Sequence, residues 1–96
     1  MTNILIGDIG NTNTKICLIE MKTFKIKKVF YFNSSDINSN YFLKRNLKKV
    51  IKNKPLHKTA LFSCVVNKYQ LILRKFLNKF YNIKLKEVKD RKIKKI

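Results

Sequence analysis

Apolar positions along this chain follow two different periods. Near the start, Ile4-Leu5-Ile6 forms a short apolar run and predicts a first strand over Asn3 to Asp8, stopped by Asp8-Ile9-Gly10-Asn11. The turn residues Gly10-Asn11-Thr12-Asn13 follow. Lys15 to Met21 then carries Ile16-Cys17-Leu18-Ile19, apolar on both faces, the mark of a strand inside a sheet. From Phe24 to Phe32 the pattern alternates in part, with Lys25 and Lys27 opposing Phe24 and Ile26, and it slips at Lys27-Lys28. That slip predicts a bulge or an edge position. Three strands with short connectors make an antiparallel meander.

Beyond Phe32 the period becomes helical. Asn33 to Ser39 is polar and rich in capping residues, and a helix is expected from about Asn40 to Lys52. Leu43, Leu47, Val50 and Ile51 form its apolar stripe, while Lys44, Arg45, Lys48, Lys49 and Lys52 fill the wet side. Pro55 bars its continuation. Lys58 to Val66 reads as a fourth strand. Asn67, with Gln70 three residues on, predicts a capped start to a second helix over Lys68 to Tyr81. Its stripe is Tyr69, Ile72, Leu73, Phe76, Leu77 and Phe80, and Asn82 suits a left-handed C-cap. Ile83 to Val88 is a fifth strand, followed by a basic tail from Lys89 to Ile96. The fold class is therefore α/β, in the order β-β-β-α-β-α-β, with a mixed sheet. This order resembles the ribonuclease-H-like core, two copies of which hold nucleotide between them in actin-like and sugar-kinase-like ATPases.

Length and composition narrow the picture. Ninety-six residues allow one small domain, and 45% hydrophobic content supports a core. Two Gly and one Pro exclude collagen, and two cysteines far apart in apolar runs exclude a disulfide scaffold. No apolar stretch reaches membrane-spanning length. The opening Met1-Thr2-Asn3 lacks the basic region of a signal peptide, so a reducing, cytoplasmic setting is expected. Lys+Arg number 23 against 5 Asp+Glu, a net charge of +18. Such a charge invites a nucleic-acid reading. Yet Lys supplies 20 of the 23 and Arg only 3, and Lys, Asn and Ile, all encoded by A- and T-rich codons, make up 43 of 96 residues. Arg is the residue that base and phosphate recognition favours. The bias is read as compositional, with nucleic acid bound only non-specifically. His57, the single histidine, reads as an exposed loop residue rather than a zinc ligand, and Cys17 and Cys64 read as small core residues. Glu20 reads as a strand end.

The chemistry gathers at Asp8-Ile9-Gly10-Asn11-Thr12-Asn13-Thr14-Lys15, the turn between the first two strands. A carboxylate ends one strand, and a glycine permits close backbone approach. Amides, hydroxyls and consecutive N–H groups follow, and a lysine opens the next strand. Consecutive N–H donors in a tight turn make an anion-binding concavity. An Asp beside phosphates suits Mg²⁺, which prefers oxygen ligands and keeps several waters.

This stretch resembles the N-terminal phosphate loop of type III pantothenate kinases, which open with an apolar strand and Asp-x-Gly-Asn-Thr. Ser63-Cys64-Val65-Val66 resembles the family's Ser-Ser-Val-Val-Pro segment, with Cys64 and Asn67 departing from it. The resemblance implies transfer of the γ-phosphate of ATP to pantothenate in coenzyme A synthesis, with Mg²⁺ and a monovalent cation (K⁺ or NH₄⁺). It implies a cytoplasmic homodimer with pantothenate near the dimer interface, and no membrane partner. Asp8 would organise the metal, and Asp8, Ile9, Gly10, Asn11, Thr12, Asn13, Thr14 and Lys15 would line the ATP phosphates.

The family's downstream Gly-x-Asp-Arg motif supplies the general base and a substrate-holding Arg. Asp90-Arg91 lacks the preceding Gly and follows Ser63 too soon, so it reads as chance within a charged tail. No catalytic residue is therefore assigned within the chain. Residues 1–88 are expected to form an ATP-phosphate-binding lobe and 89–96 a tail, with the second lobe absent or supplied by a complementing chain. Two other readings stand beside this one: a basic nucleic-acid-binding module on a ribonuclease-H-like scaffold, and a non-catalytic remnant.

Overall fold

The two periods resolve into five strands and two helices in a computed structural model, which describes residues 2–52 and 54–88. The strands are β1 (Asn3–Ile9), β2 (Asn13–Glu20), β3 (Ile26–Asn33), β4 (Thr59–Cys64) and β5 (Lys84–Glu87). The helices are α1 (Asn40–Ile51) and α2 (Asn67–Tyr81), and a short 3₁₀ turn, Ser34–Asn38, joins β3 to α1. The expected tail, Lys89 to Ile96, lies outside the described residues and takes Asp90-Arg91 with it.

The sheet has the order β3-β2-β1-β4-β5. β1, β2 and β3 form the antiparallel meander, β4 joins β1 in parallel, and β5 joins β4 in parallel. β3 therefore runs the same way as β1 and β4. The connections β3-α1-β4 and β4-α2-β5 are both parallel crossovers that step in one direction across the sheet. Right-handed crossovers then place both helices on the same face. There Leu43, Leu47, Val50 and Ile51 of α1 and Tyr69, Leu73, Phe76 and Leu77 of α2 share one core with Leu5, Ile9, Ile16, Leu18, Phe62 and Leu85. Each such Leu, Ile or Phe contributes about 1.5–3 kcal/mol on burial. Side chains alternate along each strand, so Ile4, Ile6, Asp8, Lys15, Cys17, Ile19, Leu61 and Ser63 share the other face. No described helix covers that face.

The two-sided apolar pattern of β2 has its cause here. The strand is flanked by β1 and β3, and Ile16, Cys17, Leu18 and Ile19 are all buried. The slip at Lys27-Lys28 reflects both of the features that produce one. β3 is an edge strand, and Leu18 pairs with Lys28 while Ile19 pairs with Ile26, leaving Lys27 as the extra residue of a bulge.

Three local readings are corrected. β3 starts at Ile26, not Phe24, because Phe24 takes a left-handed φ of 60° and donates its N–H to the Glu20 carbonyl at 2.8 Å, closing a turn. Within that turn the Thr23 hydroxyl donates to Glu20 Oε1 at 2.6 Å and, with Lys27 nearby, holds the Glu20 carboxyl below its usual range. The second helix has no capping box: Val66 is its N-cap, Asn67 is already helical, and Gln70 is buried and donates to Glu87 Oε1 at 3.2 Å. Phe80 leaves the core stripe and lies exposed beside Phe76, their ring centroids 4.8 Å apart. The C-cap is as read, with Asn82 at φ 55° and ψ 37° and its N–H returned to Asn78 and Leu77. A left-handed residue with a plain Cβ is strained. Asn82→Ala is therefore expected to lower unfolding free energy by about 1 kcal/mol, and Asn82→Gly to hold it within about 0.5 kcal/mol, read from urea midpoints.

Candidate phosphate-binding site

The register of the sheet builds the site from four strands at one end of the helix-free face. Asp8 on β1 pairs directly with Lys15 on β2 and with Ser63 on β4, and Lys15 pairs in turn with Tyr31 on β3. Directly opposed residues share a face, with Cβ atoms about 4.5–5.5 Å apart in an antiparallel pair. Tyr31, Lys15, Asp8 and Ser63 thus form one transverse row. Lys15 Nζ lies over the Tyr31 ring at 5.6 Å from its centroid. Asp8 is exposed, and among the described residues its carboxylate makes no hydrogen bond or ion pair.

The turn above this row is closed from within. The Gly10 N–H donates to the Asn13 carbonyl at 2.9 Å. A Cβ at Gly10 would sit 2.8 Å from that same oxygen, so only glycine closes the turn this tightly. Asn11, Thr12 and Asn13 are exposed. The N–H groups of Asn11 and Thr12 donate to no backbone carbonyl among the described residues. Ile9 and Thr14, by contrast, are wholly buried on the helix-covered side. Anything they offer a ligand is main chain, and the Ile9 carbonyl already accepts from Val65 N–H at 3.0 Å. A hollow of about 470 Å³, lined by Asn13, Tyr31, Asn33, Asp36, Asn46 and neighbouring phenylalanine rings, borders the turn at Asn13.

Two residues that the sequence reading did not assign prove central to this geometry. Ser34, buried where β3 passes into the 3₁₀ turn, bonds to three members of the loop. Its hydroxyl donates to the Gly10 carbonyl at 2.7 Å and lies 2.8 Å from Thr14 Oγ1, and its N–H donates to the Thr12 carbonyl at 2.8 Å. Nothing in the polar run Asn33-Ser34-Ser35-Asp36 distinguishes it, since its role depends on β3 lying beside β2. Gly7 is the second. A Cβ there would strike the Phe62 ring and stand 2.8 Å from the Lys15 carbonyl. An isolated Gly within an apolar strand is a recognised sign of close approach, so this signal was available.

The remaining candidates take ordinary places. His57 is exposed, and its Nδ1 accepts from the Thr59 N–H at 3.1 Å. Cys17 is buried on the helix-free face. Cys64 is half-buried and donates its thiol to the Val66 carbonyl at 3.0 Å. Burial pushes that thiol's pKa up, which keeps it protonated and a poor nucleophile.

A carboxylate, a lysine and outward backbone donors on one turn suit a phosphate chain with its cation. The family model for type III pantothenate kinase matches residues 4–95. A type III pantothenate kinase of Pelagibacter ubique (strain HTCC1062) is 38% identical over 93 residues, which is 97% of this chain and 37% of that protein. The chain belongs to the type III pantothenate kinase family, and it spans 37% of the length of the curated relative it matches.

Proposed function

We propose that residues 1–88 form the N-terminal, ATP-phosphate-binding lobe of a pantothenate kinase, built on a ribonuclease-H-like core of the actin-like ATPase type, and that the chain works in the cytoplasm on ATP and pantothenate. The observation that carries this reading is the exposed Asp8 carboxylate, without a hydrogen bond or ion pair among the described residues, beside a turn whose Asn11 and Thr12 N–H groups meet no backbone acceptor among those residues, in a chain of this family.

Phosphoryl transfer asks mainly for positioning and charge neutralisation. The Asn11, Thr12 and Asn13 main chain would hold phosphate oxygens, and Lys15 would add a positive charge. Asp8 would hold Mg²⁺ directly or through water, and the exposed carboxylate fits a cation that keeps several of its waters. When bound, that ion offsets negative charge on the phosphates. A monovalent cation belongs to the same proposal, although no described residue is assigned to it.

The substrate hydroxyl needs a base within hydrogen-bond reach. Among the described carboxylates, Glu20 is engaged by Thr23 and Glu87 by Gln70. Asp8 is committed to the phosphates, and Asp36, which lines the hollow at Asn13, stands in Ser34-Ser35-Asp36-Ile37 and lacks the Gly-x-Asp-Arg setting of the family's base. The base and the rest of the pantothenate pocket would then come from a second lobe, a complementing chain or a homodimer partner. Titration of the 96-residue chain with ATP·Mg²⁺, followed by amide NMR, is expected to shift Asn11, Thr12 and Thr14 locally, while a coupled assay detects no turnover. Family-like turnover by the pure chain would refute the need for a second part. Salt-steep DNA binding with no response to nucleotide would favour a basic binding module instead.

A further inference from the structure

We infer that Ser34 is the positioning residue of the phosphate loop: through its hydroxyl bond to the Gly10 carbonyl it turns the N–H group of Asn11 away from the core, and its N–H bond to Thr12 holds the turn in place. The inference rests on the reading of this turn as a phosphate receptor and extends it to a residue outside the turn.

The hydrogen-bond directions follow from counting protons. Ser34 has one hydroxyl proton, and the Gly10 carbonyl can only accept, so that proton goes to Gly10 O at 2.7 Å. The 2.8 Å contact with Thr14 must then run from the Thr14 hydroxyl to Ser34 Oγ. This gives a directed chain, Thr14 O–H to Ser34 O–H to Gly10 C=O, with both side chains fully buried. The Ser34 N–H is spent separately on the Thr12 carbonyl.

Peptide planarity converts these bonds into an orientation. In a trans peptide the C=O and the following N–H point in opposite directions, and the chain has no cis bond among its described residues. Drawing the Gly10 carbonyl toward buried Ser34 directs the Asn11 N–H away from it. The Ser34 N–H holds the Thr12 carbonyl on the β3 side and so fixes the far limb of the turn. One residue thereby sets the Asn11 donor before any ligand arrives, and a pre-set donor is more effective than one that must reorient. A buried serine also resists rearrangement, since freeing the Gly10 carbonyl would leave a polar atom without its partner.

The test compares wild type, Ser34→Ala and Ser34→Thr as full 96-residue chains titrated with ATP·Mg²⁺ and followed by amide NMR. Resonances of β4 and α2 report whether each variant stays folded. Ser34→Ala is expected to weaken ATP·Mg²⁺ about tenfold and to abolish the Asn11 shift, while Ser34→Thr, which keeps the hydroxyl, restores both. A folded Ser34→Ala chain with wild-type affinity and a wild-type Asn11 shift overturns the inference and leaves the phosphate-loop reading intact. A wild-type chain that shows no shift at Asn11 overturns that reading, and the inference with it. Hydrogen exchange of the ligand-free wild type is a second measurement that no unfolded variant can spoil. The Ser34 amide should be protected and the Asn11 amide should exchange near the free-peptide rate, so a protected Asn11 amide overturns the inference.

Discussion

Replacing Gly7 by alanine is expected to lower the unfolding free energy of the chain by about 3 kcal/mol or more. Gly7 pairs with Ile16 on one side and Phe62 on the other, and the Phe62 ring lies across the space where a Cβ would stand. The ring cannot swing out, because Phe62 is fully buried in the shared core. The added carbon would also come within 2.7 Å of Phe62 Cδ2 and 2.8 Å of the Lys15 carbonyl, and the latter belongs to the ladder itself. A small domain has only about 5–15 kcal/mol to lose. Urea denaturation followed by circular dichroism measures the loss. The double variant Gly7→Ala/Phe62→Leu should recover part of it, since a smaller side chain clears one obstacle and leaves the carbonyl. A Gly7→Ala chain as stable as wild type would mean that Phe62 does not lie over Gly7.

Asp8→Asn is expected to behave in the opposite way, with binding lost and stability kept. Asp8 is exposed and has no described hydrogen bond or ion pair, so the amide should leave unfolding free energy within about 0.5 kcal/mol of wild type. ATP·Mg²⁺ affinity should fall about thirtyfold, the usual cost of losing one charged contact. The sign of the effect should reverse when the metal is chelated. Without a cation, the Asp8 carboxylate repels the phosphates, so metal-free ATP should bind Asp8→Asn as tightly as wild type or more tightly. Isothermal titration with Mg²⁺ and with EDTA reads both arms. Equal losses in the two conditions would assign Asp8 a structural rather than an electrostatic role.

The elements were legible because their periods differ. Ile16-Cys17-Leu18-Ile19 announces an interior strand, and the Leu43, Leu47, Val50, Ile51 stripe announces a helix packed on one side. The loop was legible because its residue types are contiguous and carry their chemistry locally. What was not legible depends on contacts between distant segments. Ser34 acquires its role because β3 returns beside β2, and Ser63 stands beside Asp8 because β4 joins β1 in one particular register. Gln70 looked like half of a capping box because its spacing from Asn67 fits one, but tertiary burial against Glu87 claimed its side chain. Phe24 looked like a strand residue because its apolar neighbours alternate, but the tight turn back to Glu20 forced it into a left-handed conformation.

The two pairings that flank Asp8 differ greatly in how far apart along the chain their partners lie. Lys15 is reached through a short hairpin, an event of about 1–10 μs, whereas Ser63 arrives only after the whole of β3, α1 and the following loop has been folded back. Closing the second contact therefore costs more chain entropy than closing the first. A lesion in α1 that loosens β4 would spare the Asp8–Lys15 pairing within its hairpin and leave the β4 flank of β1 open to pairing with a neighbouring molecule.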